Sequence, residues 1–179
     1  MVAERVVLAR TGDPSAFEAL VEPRVGAMTR TAMAILGSEA DARDAVQDAL
    51  VMAWRELASL REPEAFDAWL TRILVNRCKR GLRGVATRRI REVDVDALAG
   101  TAEPGAPDPA AAVLDRRSLE RAFERLSVDE RSLLVLHHLE GRSVESIAVV
   151  LKIPAGTAKS RLHAARKALE RSLEREGAR

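Results

Sequence analysis

The sequence predicts an all-α protein made of two small helical domains joined by a flexible linker. Three observations carry that expectation. Strand formers are scarce, with no Tyr and only three Phe in 179 residues, while the abundant Ala, Leu, Arg and Glu suit helices. Apolar residues recur at spacings of three and four along most of the chain, which gathers them on one face of successive helices. Residues 94–109 (DVDALAGTAEPGAPDP) break that pattern; their Gly, Pro and acids cannot build a core.

The elements follow in order. Asp13-Pro14 is an N-cap with proline in the first turn, and Phe17, Leu20 and Val21 continue as a core face. Pro23 is expected to separate this helix from a second one that carries Val25, Met28, Ala32, Ile35 and Leu36 and closes at Gly37. Ser38 with Asp41 starts a long helix through about Leu60, with Ala42, Ala45, Val46, Ala49, Leu50, Ala53, Trp54 and Leu57 on its apolar side. Its outer surface is Asp41, Asp44, Gln47 and Asp48. After a loop at Arg61, Glu62 and Pro63, a helix over residues 64–83 turns Phe66, Trp69, Leu70, Ile73, Leu74, Cys78 and Leu82 inward. Beyond the tether, residues 113–126 are helical, and Ser127 with Glu130 forms a capping box before a helix expected to bury Leu133, Leu134, Leu136 and Leu139.

The last segment, residues 141–169, reads as a helix-turn-helix. Ser143 caps a short helix whose apolar face is Val144, Ile147, Ala148 and Leu151. Pro154 and Gly156 break the chain, and Thr157 is expected to cap a second helix with Ala158, Leu162, Ala165 and Leu169 as its buried stripe. The face left over carries Lys159, Ser160, His163, Arg166 and Lys167, hydrogen-bond donors placed to enter a major groove. Domain limits follow at 12–91, with a linker at 92–112 and a second domain at 113–175.

Composition narrows the function. A formal net charge of +2 does not announce a nucleic-acid partner, so the distribution of charge matters more than its sum. Residues 71–91 hold eight bases and no acid, residues 152–167 are likewise basic, and residues 92–115 are acidic without a base. The single cysteine, Cys78, excludes a disulfide framework and a cysteine-based metal site. His137 and His138 are adjacent on a helix and diverge, so no metal, cofactor or catalytic residue is assigned. No phosphate loop or nucleophile-base pair marks an enzyme. The lack of a long apolar run or signal-like N-terminus suits a cytoplasmic protein that does not insert into membranes.

Three segments together resemble a known family. DARDAVQDALVMAWR (residues 41–55), FDAWLTRILVNRCKRGLR (residues 66–83) and the helix-turn-helix with PAGTAKSRL resemble a bacterial RNA polymerase sigma factor of the sigma-70 family, in the compact extracytoplasmic-function (ECF) group that keeps only regions 2 and 4. The resemblance spans about residues 13–173. It implies that the chain binds polymerase core through the β′ clamp helices and β flap, reads double-stranded promoter DNA, holds the single-stranded −10 region and answers to an anti-sigma factor. Carried over by position, Asp41, Asp44, Gln47 and Asp48 would face the clamp helices, with Trp54 a buried aromatic behind them. An acidic face of this kind on an isolated helix would be merely solvated surface.

By the same resemblance, Arg61, Glu62, Arg72, Asn76, Lys79, Arg80 and Arg83 fall in the part that opens the −10 element, and the loop at residues 60–64 would receive a flipped-out base. An Asn can pair with a base edge while arginines neutralise phosphate. Primary sigma factors place two tryptophans side by side here; this chain has Trp69-Leu70, and Trp69 itself reads as core. Opening would then depend on capturing specific bases, which predicts a narrow promoter set. For the −35 element, Thr157, Lys159, Ser160, Arg161, His163, Ala164, Arg166 and Lys167 occupy the matching helix, with Arg161, Arg166 and Lys167 suited to phosphate and Ala164 able to touch only a thymine methyl or the groove wall. The linker reads either as a passive tether or as an acidic strand threading the RNA-exit path. The alternative for the whole chain is an autonomous helix-turn-helix regulator.

Overall fold

The computed structural model describes residues 2–91 and 109–177, with side chains described for 2–81 and 117–176. All regular structure among these residues is helical: α1 (Val2–Arg10), α2 (Pro14–Leu36), α3 (Glu39–Glu56), 3-10 turns at Leu57–Ser59 and Pro63–Ala65, α4 (Phe66–Arg91), α5 (Pro109–Glu124), α6 (Val128–Leu134), a π turn at Val135–Leu139, α7 (Val144–Leu151) and α8 (Ala155–Gly177). The all-α expectation holds. The predicted linker lies outside the described residues as far as 108, and residues 109–112 are already the first turn of α5. Proline suits that position, because the first amide of a helix has no intrahelical acceptor.

Several boundaries differ from the sequence reading in the first unit: α3 ends at Glu56, short of Leu60, and α4 runs from Phe66 to Arg91, beyond Arg83. α1 precedes the expected start; it buries only Val6 and Ala9, too few to stand out as a stripe. α2 runs unbroken through Pro23. A mid-helix proline frees the carbonyl four residues back, here Ala19, and the Arg5 guanidinium of α1 donates to that oxygen at 3.3 Å. A tertiary donor thus replaces the missing amide. At the other end, Gly37 adopts φ +73° and its N–H donates to Met33 O at 2.8 Å, ending α2 as a left-handed cap. Ser38 Oγ then accepts from the Asp41 amide, which starts α3 as expected.

In the second unit the Ser127–Glu130 capping box forms in both directions. The chain then winds wider at residues 135–139, where the Glu140 amide reaches Val135 O, five residues back, at 3.1 Å. That extra residue per turn shifts the apolar register. Leu133, Leu134 and Leu136 are buried, but Leu139 is 56% exposed, against expectation. Gly141, at φ +65°, reverses the chain toward α7, a conformation costly for a residue with a side chain. Ser143 caps α7 by accepting from Ser146 N. α8 starts two residues before Thr157, with Ala158 N donating to Pro154 O at 3.0 Å, so Thr157 lies inside the first turn and is not its cap. Ala158, Leu162 and Ala165 are buried as expected, with Leu169 partly so.

The two units pack on one another. One buried apolar cluster runs from Val6, Leu20 and Ile35 through Leu74 to Leu136, Ile147 and Leu162. Within it sits the Arg131 guanidinium, 8% exposed, which donates to Leu126 O and to Ile35 O of α2 at 3.1 Å each, and to Glu124 O of α5. The Ile35 and Glu124 carbonyls belong to helix ends that have no intrahelical donor. Burial lowers the Arg131 pKa, with Glu124 opposing the shift. α5 is tied to α8 separately, where Arg121 and Arg125 both pair with the buried Glu176 carboxylate. Arg131→Ala should leave two buried carbonyls and one partly buried carbonyl short of a donor and cost roughly 2–4 kcal/mol of stability in urea denaturation. Arg131→Lys should recover only part of the loss, because one ammonium lacks the planar fork.

Candidate nucleic-acid interface

Three exposed faces carry the side chains singled out from the sequence. On α3, the core residues Ala42, Ala45, Val46, Ala49 and Ala53 are all small, so α3 lies close against α2 and α4. The opposite side presents Asp44, Gln47 and Asp48, all exposed and within about one helical turn. Asp41 is half-buried in the first turn, where a carboxylate also favours the helix dipole. Val51 and Trp54 extend the exposed side at 43% and 38%. Trp54 is therefore not the buried aromatic expected by resemblance. It lies edge-on to Phe17 of α2, with ring centroids 5.1 Å apart, while its remaining surface meets solvent.

α4 divides its basic residues between two sides. Phe66, Trp69, Leu70, Ile73, Leu74 and Cys78 are buried as expected, and Trp69 at 6% exposure is a core residue. Asn76 and Arg80 are exposed and Arg72 is half-buried; their four-residue spacing sets them in one row along α4. Arg61 and Glu62 are exposed in extended backbone between the two 3-10 turns, with Leu60 buried beneath them. Lys79 does not join this row. It faces the second unit, where its ammonium pairs with Asp129 of α6. The Arg83 side chain lies outside the described residues. Burial pushes the Cys78 thiol up to about 12, so it stays protonated and unreactive at neutral pH.

On α8, Lys159, Ser160, Arg161, His163, Ala164, Arg166 and Lys167 are all exposed, and Thr157 is half-buried. Hydrogen bonds from the Glu145 amide and the Ser143 hydroxyl, with a smaller contribution from the charge of Lys159, hold the Glu145 carboxyl of α7 below its usual range. Arg161 and Arg166 flank the buried stripe on opposite sides, given 100° per residue. Arg166 leans away from the central face, donating to His138 Nε2 at 3.4 Å. Burial first, then His137 and Arg166, lower the His138 pKa, so that ring is neutral at neutral pH and can accept.

Beside Arg166 opens an apolar groove of about 900 Å³, lined among others by Met33 of α2, Leu119 and Phe123 of α5, Leu139 of the π turn, and Leu169 and Leu173 of α8. Sequence patterning did not find it, because its walls come from both units. Among the described residues, no helix is long and apolar enough to cross a membrane.

The chain can now be compared with known proteins. Residues 20–89 match the family model Sigma-70 region 2, and residues 116–169 match Sigma-70, region 4. The chain is 33% identical to the RNA polymerase sigma-H factor of Pseudomonas aeruginosa over 97% of its length and 92% of that protein. It is also 33% identical to the ECF RNA polymerase sigma-E factor of Escherichia coli, over 97% of this chain and 93% of the relative. Among solved structures, CnrH in complex with the cytosolic domain of CnrY matches with a TM-score of 0.68 and 25% identity, covering 97% of both chains. The sigma factor RpoE of Bartonella quintana, solved with the anti-sigma factor NepR, matches with a TM-score of 0.65 and 27% identity, over 88% of this chain and 96% of that one. With both regions present in order and the relatives matched nearly end to end, the chain belongs to the sigma-70 family of RNA polymerase sigma factors, in its extracytoplasmic-function group.

Proposed function

We propose that this protein is the promoter-specificity subunit of RNA polymerase for a restricted promoter set, acting by binding rather than catalysis, with each exposed face matched to one partner. The observation that carries this reading is the separation of three faces on one frame: an acidic row on α3, an Asn-and-Arg row on α4, and a basic recognition face on α8. An autonomous regulator needs only the last.

The α3 row of Asp44, Gln47 and Asp48 is assigned to polymerase core, since rigid carboxylates facing a basic helix fix orientation and suppress wrong partners. Asn76, Arg72 and Arg80, with the Arg61-Glu62 loop, are assigned to the −10 element. Lys159, Ser160 and His163 are assigned to base edges of the −35 element, flanked by Arg161 and Lys167 on phosphate. The apolar groove is assigned to an anti-sigma factor. Its support is the exposure of Met33, Leu119 and Leu139 at 41%, 47% and 56%, together with two structural neighbours solved with such partners or a cytosolic domain.

Reversing both acids of the α3 row, Asp44→Lys and Asp48→Lys, tests the central claim. The variant should keep wild-type helical content and melting temperature, because neither side chain is in the core, yet fail to co-purify with polymerase core at moderate salt. Core affinity at the wild-type level would remove the α3 row from core docking. Lys159→Ala should weaken binding to a −35 duplex by roughly 1–3 kcal/mol and relax preference at one base pair; uniform weakening across sequences would make Lys159 a phosphate contact. Asn76→Ala should leave core binding intact and reduce permanganate reactivity of thymines near the start site. Unchanged reactivity would remove Asn76 from strand opening.

A further inference from the structure

The loop assigned to the −10 element has little of its own to hold it in shape. It joins the 3-10 turns Leu57–Ser59 and Pro63–Ala65 through extended backbone, and neither turn has a side-chain cap. Within it the Leu60 amide donates to Leu57 O at 3.1 Å, the Ala65 amide to Glu62 O at 3.0 Å, and the Phe66 amide to Pro63 O. Turns this short make poor hydrogen-bond geometry and do not persist alone, so the shape of the loop comes from what its ends are packed into. Leu57 and Leu60 at one end and Phe66 at the other are buried, while Arg61 and Glu62 between them meet solvent. α1, which lies before the predicted domain start at residue 12, packs against both 3-10 turns and against α2, burying Val6 and Ala9. It is held to α2 by the Arg5 guanidinium on Ala19 O, the carbonyl that Pro23 leaves free. From the other side Arg24 of α2 sets its guanidinium 5.3 Å from the centre of the Phe66 ring, pairs with Asp67 in the first turn of α4 and donates to Leu20 O.

We infer that α1 and Arg24 are positioning elements for promoter recognition: they fix the two ends of the loop, so that Arg61 and Glu62 are presented to the −10 strand in one preformed shape and the base accepted there is discriminated. A loop that found this shape only on binding would order its backbone at that moment, at about 1–2 kcal/mol per residue fixed, and that cost falls alike on every base. Discrimination needs more, because a loose loop adjusts to the wrong base, whereas polar groups held to within about 0.5 Å do not. Neither α1 nor Arg24 has to touch DNA. Both act through Leu57, Leu60 and Phe66, the buried anchors on either side of the exposed pair. The role in base discrimination rests on the function proposed above; the fixing of the loop does not.

Two readouts test this, one on the free chain and one on the polymerase complex. Amide hydrogen exchange on the full chain follows the peptide covering residues 57–66, with peptides from α3 and α8 as references. In the wild type the Leu60, Ala65 and Phe66 amides should exchange several-fold more slowly than in an unfolded peptide of the same sequence. Arg5→Gln with Val6→Ala, which loosens α1, and Arg24→Gln alone should each speed exchange across this peptide several-fold and leave α3 and α8 unchanged. For the second readout, each variant is combined with polymerase core and offered a pool of promoter duplexes randomised through the −10 element, and the complexes that survive heparin are sequenced. Both variants should bind core as the wild type does, yet show a several-fold weaker base preference at the position that Glu62→Ala also flattens. A plain loss of stability would lower the yield of complexes without changing that preference. If the α1 variant speeds exchange in α3 and α8 as well, Arg24→Gln, whose side chain lies outside the apolar cluster, decides by the same two readouts. A wild-type loop that exchanges at the unfolded rate, variants whose loop stays as protected as in the wild type, or a loosened loop with full base preference would overturn the assignment. If Arg61→Ala and Glu62→Ala leave the preference untouched, the −10 reading of the loop fails instead, and hydrogen exchange alone decides whether α1 and Arg24 hold it.

Discussion

The arrangement of the whole molecule depends on one buried cation. Arg131 enters the apolar cluster carrying a charge that burial disfavours, and it stays because carbonyls at Ile35, Glu124 and Leu126 converge on it. Those carbonyls come from the end of α2, the end of α5 and the turn into α6, so one side chain closes two helix ends and joins the two units. A hydrophobic residue there would bury more easily but would leave the helix ends unsatisfied in a dry site. The constraint is directional. Apolar packing alone would tolerate sliding of α6 over α2, whereas a planar fork on fixed oxygens does not.

From that fixed junction the division of surfaces follows. α4 is packed on two sides, by α2 and α3 and then by α6 and α7, so that among its described side chains, up to Gly81, only a narrow strip meets solvent. Arg72, Asn76 and Arg80 occupy that strip, while Thr71 and Lys79 face the second unit. α3 packs through alanines and Val46 on one side only, leaving its opposite side wholly available. α8 buries a stripe as narrow as Ala158, Leu162 and Ala165, half-buries Thr157 and Ala168, and exposes the rest of its first four turns. The faces assigned to polymerase and to DNA are those that the core leaves unused.

Much of this was legible in the residues. The capping signals at Asp13, Ser38, Ser127 and Ser143 all operate, because a cap is a local hydrogen bond between residues two or three apart. The buried stripes of α4 and α8 were legible for the same reason of short range. Pro23 misled because its remedy comes from Arg5, far along the chain. Leu139 misled because a π turn changes the period on which the stripe was counted. Thr157 misled because Pro154 supplies the first helical acceptor earlier, and Trp54 because its one aromatic neighbour, Phe17, covers only part of it.

By itself the sequence determined an all-α chain, the starts of α2, α3, α6 and α7, the family, and the residue types on each outward face, since these rest on local propensity, helical period and motif order. Tertiary structure decided which basic residues of α4 share a face, that Lys79 is paired, that Arg166 turns to His138, and that a groove lies between α2 and α8. The reason is the same in each case. A helical pattern states which residues lie on one side of a helix, but only the packing of a second helix settles which side remains in water.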